Sequence, residues 1–319
     1  MSADGYTLII GDKNFSSWSL RLWLAMKHCG IPFAEERIRL RQPESKAAIL
    51  RHSPSGKVPA LKTNGLVVFD SLAILEFLAE RHPETQMWPH DPQARALARS
   101  ISAEMHSGFV TLRNDMSMDL LARFPTPPIG EDLDRDIRRI VAIWCEARAK
   151  YGHAGAFLFG AFSNADAMYA PVATRFRTYG VDLSTFGDDG NAASYAEVVL
   201  ALPKMVEWVA GAEEEIRARL TAWSGRSERG VQRPTNLAED RQKGERDANG
   251  NDAMFDRAVI GVVFGERLDQ ALHRALRSRP AKDRGAREPG HMLSGPRLAV
   301  RKRRADSRVW LNRRLLKRG

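Results

Sequence analysis

The segment Asn14-Phe15-Ser16-Ser17-Trp18-Ser19 places serines where a short β-rich run gives way to a helical pattern. The first backbone amides of a helix have no partner inside the helix and lie at its positive dipole end. Such amides and serine hydroxyls can lower the pKa of a thiol from about 8.5 and stabilise its thiolate. The same serines could instead only cap the helix, and the segment alone leaves both interpretations open.

Two further dipeptides have the chemistry to hold a ligand. Val58-Pro59 enters a predicted strand, and a cis bond there would turn the backbone groups of Val58 outward, towards an extended ligand. Asp70-Ser71 precedes a helical pattern, so Ser71 could bind a carboxylate and Asp70 an ammonium group. An ordinary trans proline and plain helix capping are the alternatives.

The elements that must position these residues change in type along the chain. Up to about residue 84 the pattern alternates strand and helix, and from residue 91 it is helical only, which predicts an α/β unit followed by an all-α unit. Asn64-Gly65 indicates a hairpin turn, and Ser163 with Asp166 has the form of a capping box. The predicted strands are Tyr6–Ile10, Phe33–Leu40, Val58–Leu61 and Leu66–Phe69. The predicted helices run from Leu20 to the stop at Gly30, over Glu44–His52, from Leu72 to about His82, and over Pro92–Leu121, Glu131–Tyr151, Asp166–Tyr179 and Pro203–Trp223.

Several motifs resemble one known family. NFSSWSLRLWLAMKHCGIPF, SPSGKVPAL and FDSLAILEFLAE are similar to the thioredoxin-like N-terminal domain of glutathione S-transferases, and FSNADAMYAPVATRF resembles a helix of the family's C-terminal domain. The resemblance covers about 220 of the 319 residues and is strongest to serine-type, zeta-like bacterial members. It implies a glutathione S-transferase fold with a glutathione-binding domain at 1–84 and an all-helical substrate domain at 91–223.

The resemblance also implies roles for individual residues. The backbone of Val58 would pair with the cysteinyl part of glutathione, with Pro59 as a cis proline. Ser71 would hold the γ-glutamyl carboxylate, Asp70 would lie near its amino group, and Lys57 would pair with the glycine carboxylate.

The group that activates the thiol departs from the family pattern. When Arg21 and the LAMK segment are aligned with zeta- and tau-type relatives, their activating serine falls at or near Asn14. We therefore expect Ser17 to activate the thiol, with Ser16 next and Asn14 as a possible amide donor.

The function that the resemblance implies is a glutathione transferase, which joins the glutathione thiolate to a small hydrophobic electrophile. A zeta-type isomerase that uses glutathione without consuming it is one alternative. A transferase-fold protein that binds partners and catalyses nothing is another, and the missing serine at position 14 favours it. The family also implies a homodimer.

Net charge divides the chain in two. Residues 224–319 hold 24 of the 49 Lys and Arg but 12 of the 39 Asp and Glu, so they carry a net charge of +12 and leave −2 for the rest. Such a composition predicts a basic, mostly disordered extension. It could bind nucleic acid or acidic surfaces, or it could be an appendage or a shifted reading frame; within it, only Met254–Arg277 has a helical pattern.

The remaining features predict a cytoplasmic, soluble protein. No apolar run approaches the length of a membrane span, and Met1 to Tyr6 does not resemble the start of a signal peptide. With two cysteines a disulfide framework is not expected, and Cys29, near the end of the first helix, is interpreted as a core thiol. The histidines lack metal-ligand spacing, and His106 is interpreted as a core residue or, alternatively, as part of the second-substrate pocket.

Truncation after Trp223 tests the predicted boundary of the extension. The shortened chain should fold, dimerise and bind immobilised glutathione, because arginine blocks interleaved with Gly and Pro bury too little apolar surface to offset chain entropy. Thermal denaturation measures folding, and gel filtration measures dimerisation. An insoluble product, or one that melts far below the full chain, would make the extension part of the fold.

Overall fold

A four-stranded mixed sheet forms the centre of the N-terminal domain. The computed structural model describes residues 5–227, with side chains for residues 5–221. The strand order is β2-β1-β3-β4, with β1 parallel to β2 and antiparallel to β3, and β4 antiparallel to β3. The elements of this domain are β1 Thr7–Ile10, α1 Ser17–His28, β2 Ala34–Arg37, α2 Ser45–Leu50, β3 Ala60–Thr63, β4 Leu66–Phe69 and α3 Ser71–Arg81.

The two faces of the sheet bury different cores, because successive side chains of a strand point to opposite faces. Leu8 and Ile10 of β1 belong to the large core that includes α1, α3 and the helices of the second domain. Ile9, between them, belongs to a small cluster with Ile49 of α2 and Ala60 of β3. Both faces are therefore covered, as the thioredoxin-like fold requires.

The hairpin between β3 and β4 confirms the turn predicted at Asn64-Gly65. Asn64 has φ of 44° and Gly65 has φ of 78°. Two consecutive positive φ angles are what a two-residue type I′ turn needs. Thr63 and Leu66 consequently pair across the turn, and this fixes the register along β3 and β4.

The second domain is all-helical. Helix α6 has the predicted bounds, and α7 begins with the predicted capping box, in which the Asp166 carboxylate accepts from the Ser163 amide at 2.8 Å. Almost every side chain of α7 is buried, and the helix packs against α1, α4 and α8. The helices are α4 Pro92–Ser107, α5 Val110–Asp115, α6 Glu131–Tyr151, α7 Asn164–Tyr179, α8 Asn191–Ala201 and α9 Pro203–Ser227.

Two helix predictions were wrong. The helix predicted over Pro92–Leu121 is broken, because Gly108 is extended and Phe109 takes a left-handed φ of 54°; after the break, α5 ends at Asp115. Helix α8 was not predicted at all. Its sequence is so apolar that the alternation of buried and polar positions is weak, although Tyr195 and Val199 are fully buried.

The last helix runs past its predicted end. Helix α9 continues to Ser227, so residues 224–227 of the predicted extension belong to it. The rest of that extension, including the helix predicted at Met254–Arg277, lies outside the described residues. Within residues 5–227, none of the helices combines the length and the apolar composition that crossing a membrane would require.

Asp166 should be a major source of stability in the helical domain. Its carboxylate accepts from the Leu158 amide at 3.1 Å, from the Tyr195 hydroxyl at 3.0 Å and from both the amide and hydroxyl of Ser163. Asp166→Asn leaves buried donors without an acceptor, so the free energy of unfolding should fall by about 2–5 kcal/mol in urea titrations. Tyr195→Phe removes one of these donors and should cost only about 1 kcal/mol. If the free energy of unfolding fell equally in the two variants, the stability that Asp166 provides would come from Tyr195 alone and not from all four donors.

Candidate functional site

Strand register brings the three candidate motifs to one edge of the sheet. Ile9 of β1 pairs with Ala60 of β3, and Ala60 pairs with Phe69 of β4. Val58-Pro59, just before β3, therefore lies between the loop that follows β1 and the Asp70-Ser71 pair that follows β4.

The serines at the start of α1 differ in how their hydroxyls are used. Ser16 caps the helix, and its hydroxyl donates to Ser19 Oγ at 2.7 Å, which also accepts from the Gly11 amide at 3.0 Å. Ser17 is the first residue of the helix and is 8% exposed, and its hydroxyl has no hydrogen-bond partner within residues 5–221. Ser17 is thus the serine with a free hydroxyl at the positive end of α1.

Asn14 ties this loop to the helical domain. Its Nδ2 donates to Asp119 Oδ1 at 2.9 Å, and its Oδ1 accepts from the Leu121 amide at 3.2 Å. The amide nitrogen and the amide oxygen of Asn14 therefore both have partners, and the residue is 3% exposed. These contacts favour a role for Asn14 in holding the loop over a role as a hydrogen-bond donor to a thiol.

Helix α9 holds the two residues before Asn14. The Lys13 amide donates to Glu215 Oε2 at 3.1 Å, and the Lys13 carbonyl accepts from Trp208 Nε1 at 3.0 Å. Asp12, which is 2% exposed, pairs with Arg219. The loop that presents Ser17 is therefore fixed by contacts from the second domain.

Asp70 and Ser71 begin α3. Asp70 has φ of 76°, which non-glycine residues seldom adopt, and its Oδ1 accepts from the Leu72 amide at 2.9 Å. Ser71 is 2% exposed, and its buried hydroxyl has no hydrogen-bond partner within the described side chains. An orphaned hydroxyl at a helix N-terminus fits the carboxylate of an amino-acid head group.

The remaining residues predicted to bind the ligand lie at the entry to β3. The Val58–Pro59 bond is cis, as the resemblance implied. Within residues 5–227, the amide and carbonyl of Val58 form no backbone hydrogen bond, so both are available to an extended ligand. Lys57 is exposed, and its amide donates to Ser55 Oγ at 3.2 Å.

His106 contacts residues of the candidate site, although the sequence favoured a core position for it. Its Nε2 donates to Asp70 Oδ2 at 2.7 Å, and its ring makes an edge contact with Trp18 at a centroid distance of 5.4 Å. His106 thereby links the start of α1 to the start of α3. No local motif marks such a pair, whose members are separated by 36 residues.

Buried arginines make the interior beside α1 positive. The Arg21 guanidinium lies 3.9 Å from the centre of the Trp18 ring, and its Nε donates to the Met168 carbonyl, but neither Nη has a partner within the described side chains. Burial, with Arg175 and Arg113 nearby, holds the pKa of Arg21 well below its usual value. Burial also lowers the pKa of Arg175 to about 10. This cluster favours an anion in the adjoining site.

The two cysteines lie outside this arrangement. Cys29 caps the C-terminal end of α1, and burial raises the pKa of its thiol, so a thiolate is disfavoured there. Cys145 lies close to Asp188 and Asp189. Its Sγ atom and one carboxylate oxygen of each aspartate lie within 4.8 Å of one another. Burial and those carboxylates raise the pKa of Cys145 to about 11, and Asp188 already caps the start of α8.

Comparison with known proteins agrees with the geometry. Residues 15–81 match the family model of the glutathione S-transferase N-terminal domain. A probable maleylacetoacetate isomerase of Caenorhabditis elegans is 37% identical over 34% of this chain and 50% of its own length. The Dictyostelium discoideum maleylacetoacetate isomerase is 26% identical over 61% of this chain and 89% of its own. This chain spans about half the length of the first curated relatives that it matches.

A solved structure extends the match to both domains. A Burkholderia glutathione transferase homolog with bound glutathione has a TM-score of 0.50 and 21% identity, covering 66% of this chain and 98% of that one. The mixed sheet and the helical second domain define a glutathione S-transferase fold. At the level of sequence, the match to the glutathione S-transferase family is confined to the N-terminal domain, over residues 15–81.

Ser17→Ala tests which hydroxyl stabilises a bound thiolate. A hydrogen bond to a charged group contributes about 1.5–3 kcal/mol, so the pKa of the bound glutathione thiol should rise by about 1–2 units. Ultraviolet absorbance of the thiolate against pH measures this pKa. Ser16→Ala should shift it less but lower the melting temperature, because it removes the cap of α1. If only Asn14→Ala shifts the titration, the serine assignment is wrong.

Proposed function

We propose that this chain binds glutathione at the sheet edge between Ser17 and Ser71 and uses its thiolate in catalysis. The observation that carries the proposal is the orphaned, buried hydroxyl of Ser71 beside Asp70. The groups around it match the tripeptide part by part: Ser71 for the carboxylate, Asp70 for the ammonium and the free backbone of Val58 for the cysteinyl unit. Lys57 would pair with the glycine carboxylate.

The residues around Ser17 supply what a thiolate needs. Bound glutathione would supply a nucleophilic thiolate, able to add reversibly to an activated cis double bond or to displace a leaving group. The Ser17 hydroxyl would donate a hydrogen bond to that sulfur, and the amides at the start of α1 would add their partial positive charge. Asn14 and the α9 contacts would hold the loop so that this donor is preorganised.

The reaction we favour is isomerisation of a small acid that carries a cis double bond. The curated relatives reported above are named maleylacetoacetate isomerases, and a maleyl group is a cis double bond between two carbonyl carbons. The buried Arg21 cluster supports an acidic substrate through its positive field and not by contact, because Arg21 is fully buried. Conjugation to a small hydrophobic electrophile is the second candidate, and the match of residues 15–81 to the glutathione S-transferase N-terminal domain supports it. A homodimer and a cytoplasmic location remain predictions from the family resemblance.

Two turnover assays on a chain shown to bind immobilised glutathione distinguish the candidates. We expect conversion of maleylacetoacetate without loss of glutathione, and slower conjugation of a generic aryl halide. Ser17→Ala should reduce kcat by about 10–100-fold in either reaction, since it removes a hydrogen bond to a charged sulfur. Ser194→Ala, at an exposed position on α8, is the matched control and should leave turnover unchanged.

Other outcomes have distinct meanings. Consumption of glutathione at a higher rate than isomerisation would make the chain a transferase. Binding without turnover in either assay would favour a binding protein that catalyses nothing. Absence of glutathione binding would contradict the proposal as a whole.

A further inference from the structure

His106 reaches from the helical domain to the head-group end of the site. It lies in the last turn of α4, and its Nε2 donates to Asp70 Oδ2 at 2.7 Å. Its ring also makes an edge contact with Trp18 of α1. The imidazole thus lies between the Trp18 ring and the Asp70 carboxylate.

The carboxylate of Asp70 is held at both oxygens. Its Oδ1 accepts from the Leu72 amide at 2.9 Å, and its Oδ2 accepts from His106. The backbone of Asp70 is itself in an unusual conformation, with φ of 76°. Such conformations persist where surrounding contacts over-determine them, and they cluster at ligand sites.

The His106–Asp70 pair contributes little to folding stability. The His106 side chain is 30% exposed and that of Asp70 is 48% exposed. Ion pairs at such exposed positions contribute little to the free energy of unfolding. What the contact does accomplish is to restrict the rotation of the Asp70 carboxylate before a ligand arrives, which lowers the entropy that binding must overcome.

We infer that His106 is a positioning residue of the head-group site, which acts through Asp70 and sets the preference for ligands with an α-ammonium group. The inference rests on the proposed glutathione site and deepens it. The ammonium would share Oδ2 of Asp70 with the imidazole N–H, whereas the carboxylate of the same head group would bind Ser71. A ligand without the amino group would gain nothing from the fixed orientation of Asp70.

A double-mutant cycle measured by calorimetry tests this inference. Wild type, His106→Ala, Asp70→Ala and the double variant are titrated with glutathione and with glutaryl-cysteinyl-glycine, which lacks only the amino group. For glutathione, Asp70→Ala should weaken affinity about 10–100-fold and His106→Ala about 2–10-fold. The double variant should be no weaker than Asp70→Ala. For the analogue, all four proteins should bind alike.

Further variants separate positioning from general damage. His106→Gln keeps an N–H donor and should restore part of the glutathione affinity lost in His106→Ala. His153→Ala, an exposed histidine beyond the end of α6, should match wild type with both ligands. Melting temperatures of the single His106 and His153 variants should stay close to that of wild type, whereas variants with Asp70→Ala also lose the cap of α3 and should melt somewhat lower.

The outcomes that overturn the inference differ from those that overturn the proposed function. Additive losses in the double variant, or equal losses for both ligands, would show that His106 does not act through Asp70. A wild-type chain that binds neither ligand would overturn the proposed glutathione site, and the inference with it.

Discussion

The hydrogen bonds between the β1–α1 loop and the helical domain are the contacts on which the candidate site depends. A loop that presents a helix N-terminus must satisfy its own buried polar groups, because an unpaired one costs about as much as a lost hydrogen bond. Here the backbone amide and carbonyl of Lys13 form hydrogen bonds with Glu215 and Trp208. The Asn14 side chain donates to Asp119. The free hydroxyl of Ser17 can therefore exist at a fixed position only when both domains are folded together.

The same arrangement explains why charge accumulates beside α1. The Arg21 guanidinium lies between helix α7 on one side and the Trp18 ring on the other, and among the described residues only its Nε has an acceptor. A buried cation with free N–H groups is costly unless an anion is near. The start of α1 adds its own partial positive charge. The fold therefore concentrates positive potential at the place where the motifs predict a thiolate.

Sequence reasoning succeeded where the signal is local. Asn64-Gly65 specifies a turn, Asp70 caps its own helix, and the Ser163–Asp166 capping box needs only four consecutive residues. It failed where structure depends on partners distant in sequence. The left-handed Phe109 that breaks α4 from α5 carries no glycine signal of its own, and α8 was not predicted because its apolar residues show little periodicity.

The candidate site shows the same limit at the level of single side chains. Both Ser16 and Ser17 lie at the start of one helix, and the sequence ranks Ser17 first without showing how either hydroxyl is used. Only the structure shows that the Ser16 hydroxyl is already committed, through its local hydrogen bond to Ser19. Likewise His106 falls at a position that looks like core until α3 and α4 are placed side by side. The residues that give a site its selectivity are thus the ones whose partners come from another element, and a single sequence contains no local trace of them.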